Sequence, residues 1–88
     1  MKVLDRTDYI KLKKNIIKKL YANRAFSKGH LLSERLQTGI PSHLKGFVKE
    51  VLNELINEKL VLFYGNTKHG PAYQLNIKKI KEIEELIF

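Results

Sequence analysis

The chain of 88 residues contains no cysteine, which excludes disulfide bonds, thiolate metal sites and cysteine nucleophiles. It also lacks a long apolar run. The longest stretch, LVLF at residues 60–63, falls far short of the roughly 20 residues that a membrane-spanning helix needs. The first residues, MKVLDRTDY, hold no apolar segment typical of a signal peptide. We therefore expect a soluble, cytoplasmic protein that does not contact membranes.

The motifs of common enzyme chemistries are also missing. The sequence has no Walker A, GxGxxG, GxSxG, HExxH or CxxC pattern. Its histidines, His30, His43 and His69, lie too far apart to match a compact set of metal ligands. Most carboxylates stand near lysines on predicted helices, where a solvated surface explains them. We therefore expect a protein that is not an enzyme and binds no metal ion or cofactor.

What the sequence does contain is enough apolar material for one small core. The hydrophobic fraction is 43%, and charged residues of both signs make up 30%. Disordered chains are poorer in apolar residues, and single domains are seldom much shorter than this chain. We expect residues 1–88 to fold as one domain.

Positive charge is concentrated in the first half of the chain. The net charge is +8, and residues 1–49 hold 12 Lys and Arg against 3 Asp and Glu, whereas residues 50–88 hold 5 against 6. Such asymmetry indicates a polyanionic partner, either nucleic acid or an acidic membrane surface. The alternative is a basic protein whose charge serves only solubility.

Apolar periodicity predicts a first helix over residues 8–22, capped by Thr7 or Asp8. Lys13 falls inside its apolar arc and is expected to extend its ammonium group past the edge. A short strand at residues 31–32 and a short helix at residues 34–38, capped by Ser33, follow. Ser42 then caps a second long helix. Gly46 lies inside this helix at a cost of about 1 kcal/mol relative to alanine, which suggests that something approaches closely there.

Two β-rich runs, residues 60–64 and 72–75, are joined by the glycine-containing loop GNTKHGP. Their alternation predicts that one face of the hairpin packs on the helices. Asn76 caps a final helix over residues 77–88. Its last apolar residues either cover the core or pair two subunits; these are Ile83, Leu86, Ile87 and Phe88.

This order of helix, short strand, helix, turn, helix and hairpin resembles the winged helix-turn-helix domain. The segment VKEVLNELINEKLV, residues 48–61, looks like a recognition helix running into the first wing strand in bacterial and archaeal regulators, and AYQLN looks like the closing strand. The resemblance covers nearly the whole chain. It implies an α+β fold with a three-helix core, a β-hairpin wing and a C-terminal helix. It also implies a homodimer, because terminal helices of such regulators often dimerise.

A helix fits the major groove, where Lys and Asn side chains can contact phosphates or base edges. On this basis the candidate DNA-binding residues of the recognition helix are Ser42, His43, Lys45, Gly46, Lys49 and Asn53. Glu50 and Glu54 restrict the contact to the first half of that helix. The resemblance adds wing residues that would contact phosphate or the minor groove: Asn66, Thr67, Lys68 and His69. On the first helix, Lys11, Lys14 and Lys18 are candidates for flanking phosphates. For each group the alternative is a face that is merely solvated.

We therefore predict a small transcription regulator that binds double-stranded DNA. Two other hypotheses stay open at this point. Winged helices also serve as adaptors that bind proteins, and the same basic surface could bind RNA.

Overall fold

The computed structural model describes residues 4–88 and has an α+β fold with five α-helices and one three-stranded antiparallel sheet. The helices are α1 (Arg6–Ala22), α2 (Ser33–Leu36), α3 (Ser42–Lys45), α4 (Val48–Asn57) and α5 (Ile80–Ile87). The strands are β1 (Leu31–Leu32), β2 (Val61–Thr67) and β3 (Gly70–Leu75), and a 3-10 turn (Ile77–Lys79) precedes α5.

Helix α1 packs along one side of the core. Its cap is Asp5, whose side chain accepts a hydrogen bond of 2.8 Å from the backbone N–H of Asp8, so the prediction of Thr7 or Asp8 as cap is wrong by two or three positions. The helix buries one stripe of four large aliphatic side chains: Leu12, Ile16, Ile17 and Leu20. Burial of this stripe against α4, α5 and β3 fixes the orientation of the rest of the molecule.

The sheet has the order β1-β3-β2, so that β3 is central and β2 forms an edge. Tyr73 on β3 pairs with Leu31 on one side and with Phe63 on the other. The predicted short strand at residues 31–32 is confirmed. With only two residues, β1 covers a small part of β3.

The predicted continuous helix after Ser42 is wrong, because α3 and α4 are separate helices divided by Gly46 and Phe47. The N–H of Phe47 donates to the carbonyl of Leu44 at 3.0 Å, and a new helical ladder begins with the bond from Val51 to Phe47. Among all residue types, only proline disfavours a helix interior more than glycine does. The helix therefore breaks at Gly46, where the helical conformation is least stable. The predicted three-helix core is therefore α1, α2 and a divided third helix.

The two predicted serine caps are also wrong. Ser33 is the first residue of α2 and Ser42 the first residue of α3, and neither helix has a side-chain hydrogen bond at its N-terminus. Both helices consist of one turn. Such a short helix depends on the burial of a single apolar side chain, Leu36 in α2 and Leu44 in α3, more than on capping.

The hairpin is longer and its loop tighter than predicted, because β2 and β3 continue to a two-residue turn at residues 68–69. Gly70 has φ +113°, a conformation that favours glycine. A bulge lies between Phe63 and Gly65. The prediction that one face of β2 packs on the helices holds only at Val61; beyond it Leu62 and Tyr64, like Phe63, are exposed.

Helix α5 lies against α1 of the same chain. The Asn76 side chain accepts a 3.1 Å bond from the Lys78 N–H and so caps the 3-10 turn at residues 77–79. The predicted single helix over residues 77–88 is divided, because α5 begins only at Ile80 and has no side-chain cap of its own. Ile83 is completely buried, and Leu86 and Ile87 are partly buried against the core, so these three cover the core rather than standing free. Phe88 is 84% exposed. A homodimer through this helix stays a prediction. Of the helices between residues 4 and 88, none is both long and apolar enough for a membrane span.

Candidate nucleic-acid interface

The exposed face of α4 carries two of the predicted binding residues. Val48, Val51, Leu52 and Leu55 are buried. Lys49 and Asn53, one helical turn apart, are exposed. With 100° of rotation per residue they differ in direction by only about 40°. They can therefore meet the same ligand.

Glu54, predicted to oppose an anionic ligand, is engaged elsewhere. It lies about 140° around α4 from Lys49. There a hydrogen-bonding interaction with its carboxylate, together with partial burial of the phenol, raises the pKa of Tyr9 on α1 to about 12. Glu54 thus lies close to Tyr9 of α1, and Glu50 is exposed next to Lys49. That Glu50 restricts a ligand to the start of α4 stays a prediction.

Lys45 and Gly46 are placed differently from the prediction. Lys45 ends α3, so it does not share one helix with Lys49 and Asn53. Gly46 has φ −65°, and a Cβ atom there would meet nothing within 4 Å. The fold itself does not require glycine at position 46. Its role in admitting a ligand stays a prediction.

Ser42 and His43 are exposed on the single turn of α3, next to Lys45. A helix this short has only a weak dipole, so its N-terminus attracts phosphate much less than the predicted long helix would. Any contact with phosphate therefore depends on the side chains of Ser42, His43 and Lys45 and not on the helix dipole. They lie on the connection between α2 and α4.

Lys11 on α1 approaches this connection. It lines a cleft of about 200 Å³ together with residues of α1 and the segment before and within α3: Leu12, Asn15, Ile40, Pro41 and Leu44. The structure thus brings Lys11 close to the segment that bears Ser42 and His43. Lys14 and Lys18 are exposed on the side of α1 opposite its buried stripe and are not part of this cleft.

The hairpin tip presents Lys68 and His69, both exposed, and Asn66 is exposed on the adjoining part of β2. Thr67 is different. Its hydroxyl donates to the Gly70 carbonyl at 2.9 Å and accepts from the His69 N–H at 3.1 Å. Thr67 therefore stabilises the turn that holds Lys68 and His69, a structural role that the sequence analysis did not assign to it.

The cationic candidates are not neutralised within the part of the chain that the structure describes. Across residues 4–88, no ion pair includes a predicted binding lysine, namely Lys11, Lys14, Lys18, Lys45, Lys49 or Lys68. Lys13, by contrast, pairs with Glu58 at 3.0 Å and is mostly buried. Pairing of Lys13 explains how a lysine is tolerated beside an apolar stripe.

Sequence reasoning missed Lys19. Its ammonium group donates to the backbone carbonyls of Leu36, at 3.1 Å, and of Thr38, and burial lowers the pKa of Lys19 below its usual value. Lys19 thereby ties α1 to the end of α2 and to the connection leading into α3. The sequence signal for this role was the position of Lys19 directly before Leu20, at the border of the apolar stripe.

Sequence reasoning also missed an exposed aromatic group on the hairpin. Tyr64 stacks on His30 with ring centroids 4.2 Å apart and an angle of 15° between the planes, while Phe63 contacts Tyr73 edge-on at 5.6 Å. Phe63 and Tyr64 are nevertheless about half exposed. The sequence signal for this group was the apolar run LVLFY. A strand with one face in solvent alternates apolar and polar residues, and this run does not.

Among residues 4–88, no three His, Asp or Glu side chains are grouped closely enough to hold a metal ion. The sequence matches no protein-family model, and comparisons with curated proteins and with solved structures give no significant match. The functional argument therefore depends on the residues and geometry of this chain.

Proposed function

We propose that the chain is a winged-helix domain that binds double-stranded DNA and acts as a small transcription regulator. The element order supports this proposal: α1, β1, two short helical turns, α4 and a hairpin, with the sheet order β1-β3-β2. Helix α4 passes into β2 through only residues 58–60. A helix followed directly by a hairpin is the arrangement expected of a recognition helix and its wing.

The observation that carries the proposal is the state of Lys49 and Asn53. Both are exposed on α4, and Lys49 has no ion-pair partner within the described residues. Glu54 lies about 140° around the helix from Lys49, beside Tyr9, and Glu50 is the carboxylate nearest to this face. A cation and an amide on one helical face, left open in this way, suit the major groove.

The proposed roles of the side chains follow from their chemistry. Asn53 reads a base edge, with adenine as its preferred partner, and Lys49 binds a neighbouring phosphate or guanine. Lys45 and Lys11 contact phosphates from the α3 side of the interface. Lys68 at the hairpin tip contacts backbone phosphate beyond the groove.

The proposal is tested by titrating a labelled DNA duplex with the protein at several salt concentrations. Each phosphate contact changes the slope of log affinity against log salt by about −0.9. If Lys11, Lys45, Lys49 and Lys68 all bind phosphate, the expected slope is about −3.6. Absence of binding at about 50 mM salt, where counterion release favours binding most, would contradict the proposal.

A protein-binding adaptor is the second candidate, and one observation favours it. Three apolar residues of β2 are exposed, as expected of a strand that docks a protein: Leu62, Phe63 and Tyr64. The same titration separates the two hypotheses, because an adaptor has no need of duplex binding. An RNA duplex of equal length, titrated in parallel, tests the RNA hypothesis.

A further inference from the structure

Strand β2 has a free edge. In the three-stranded sheet it pairs only with β3, and no other strand of residues 4–88 lies on its outer side. The outward backbone N–H and C=O groups of such an edge are available for another strand. Leu62, Phe63 and Tyr64 on this edge are 38%, 49% and 48% exposed.

The usual protection of an edge strand is weak here. Residues 60–67, LVLFYGNT, contain neither a charged residue nor proline, the residues that most often prevent edge-to-edge association. The protective feature of this strand is the bulge between Phe63 and Gly65, which leaves Tyr64 without a register partner on β3 and bends the strand there. The segment from Leu62 to Tyr64 remains apolar and exposed, whereas Val61 before it is buried.

Charge indicates which partner suits this edge. Two copies of a chain with net charge +8 repel each other wherever their basic surfaces meet, and residues 1–49 carry that excess. The uncharged edge of β2 lies in the other half of the chain, whose net charge is −1 by the residue counts given above. Residues 60–67 contain no charged side chain, so two copies paired through these strands place no like charges directly opposite each other.

Symmetry sets the register of such a pair. When two sheets join through a two-fold axis perpendicular to them, directly opposed residues lie on the same face, so the axis passes midway between one residue and the same residue of the second copy. Phe63 shares a face with its register partner Tyr73. Leu31 also pairs with Tyr73, so the residue before it, His30, lies on the opposite face. Tyr64 stacks on His30 and therefore lies on that opposite face as well. Leu62, next to Phe63, shares that opposite face.

We propose that two copies of the chain associate by antiparallel pairing of their β2 edges about Phe63, which forms a continuous six-stranded sheet. Phe63 then lies against Phe63 of the second copy, and Leu62 lies against its Tyr64. Aromatic and aliphatic cross-strand pairs of this kind stabilise a sheet. This association does not require the DNA-binding function.

Sedimentation of three variants tests this association. Over a series from about 1 to 100 μM chain, the wild-type protein should pass from a mixture to a dimer, which gives a dissociation constant of micromolar order. Phe63→Lys and Leu62→Lys introduce charges at the junction and should raise the dissociation constant at least about tenfold. Phe88→Lys changes the most exposed large apolar residue, away from β2, and should leave the dimer intact.

A monomeric wild type at the highest of these concentrations would overturn the proposal. So would a dimer that Phe88→Lys dissociates and the two β2 variants do not, because that result assigns the contact to α5. Thermal melting of each variant shows whether loss of the dimer reflects loss of the fold. Phe63 is half exposed, so its replacement is expected to leave the melting transition in place.

Because the chain has no cysteine, single cysteine variants provide a second test of the pairing, one that does not depend on whether the lysine variants fold. In paired antiparallel strands the Cα atoms of opposed residues are about 4.5–5.5 Å apart, within the range that a disulfide spans. Phe63→Cys should therefore form a disulfide-linked dimer under mild oxidation much faster than Phe88→Cys or Ile77→Cys, whose parent residues are also exposed. Equal rates for the three variants would overturn the proposed register.

Discussion

The replacement Lys19→Met tests how the connection carrying Ser42 and His43 is held in place. The ammonium group of Lys19 donates to the carbonyls of Leu36 and Thr38, so the variant removes two charge-assisted hydrogen bonds. Methionine has similar length and good helix propensity, which leaves α1 itself nearly unchanged.

The expected loss follows from the environment of each carbonyl. The bond to Leu36 is partly buried, and hydrogen bonds to charged groups contribute about 1.5–3 kcal/mol. The bond to Thr38 is exposed, so water replaces much of it. Relief of the desolvation that lowers the pKa of Lys19 offsets part of the loss. We expect a net destabilisation of about 1.5 kcal/mol, or a fall of roughly 6–12 °C in melting temperature.

Lys18→Met is the matched control. Lys18 is the neighbouring residue and is exposed, and its side chain makes no hydrogen bond or ion pair within the described residues. Urea unfolding of both variants, followed by circular dichroism, gives the two free energies of unfolding. Equal values for Lys18→Met and Lys19→Met would refute the reasoning, because it assigns the stabilisation to contacts that only Lys19 makes.

Two further predictions concern the core and the contact between α1 and α4. Leu55→Ala, at a completely buried position of α4, should destabilise the fold by roughly 2–5 kcal/mol in urea unfolding, whereas Leu62→Ala at the exposed edge should cost much less. Because the folded pKa of Tyr9, about 12, exceeds its usual value of 10.0, the folded state holds this proton more tightly than the unfolded state does. Its contribution to stability is therefore full below pH 10 and is lost as pH rises from about 10 to 12. Tyr9→Phe should weaken the alkaline loss of melting temperature; an unchanged loss would exclude Tyr9 as its source.

Periodicity predicted the parts of the fold that depend on a continuous apolar stripe. Helix α1, with four buried aliphatic residues at helical spacing, ends at Ala22 as predicted. The hairpin and the last helix also form where their patterns predict them, although the first residues after Asn76 form a 3-10 turn before α5 begins. These elements are determined by local sequence, because their apolar residues repeat with the period of the structure they form.

The break between α3 and α4 could not be predicted from periodicity. Leu44, Val48 and Leu52 follow a helical spacing across Gly46, so the pattern alone favours one helix. The actual path depends on how Leu44 and Phe47 pack against the rest of the molecule, which is tertiary information. Consequently the predicted alignment of Lys45 with Lys49 on one helix is wrong, while the exposure of both is correct.

Side-chain partners were the other part that the sequence could not supply. Glu54 was expected to oppose a DNA ligand, and its interaction with Tyr9 depends on how α4 crosses α1. The bonds from Lys19 to the α2–α3 connection likewise join residues 17 and 19 positions apart. Residue type and spacing identify such groups as cations or anions, but only the fold determines which are paired and which remain free to bind.

Comparison of Lys49→Ala with Lys78→Ala tests the central claim most directly. Both changes remove one exposed lysine, but Lys49 lies on α4 and Lys78 on the turn before α5. In a salt titration with duplex DNA, Lys49→Ala should weaken binding and reduce the magnitude of the salt slope by about 1, whereas Lys78→Ala should change neither appreciably. An equal loss of affinity in the two variants would show diffuse electrostatic binding and would contradict the insertion of α4 into the DNA groove.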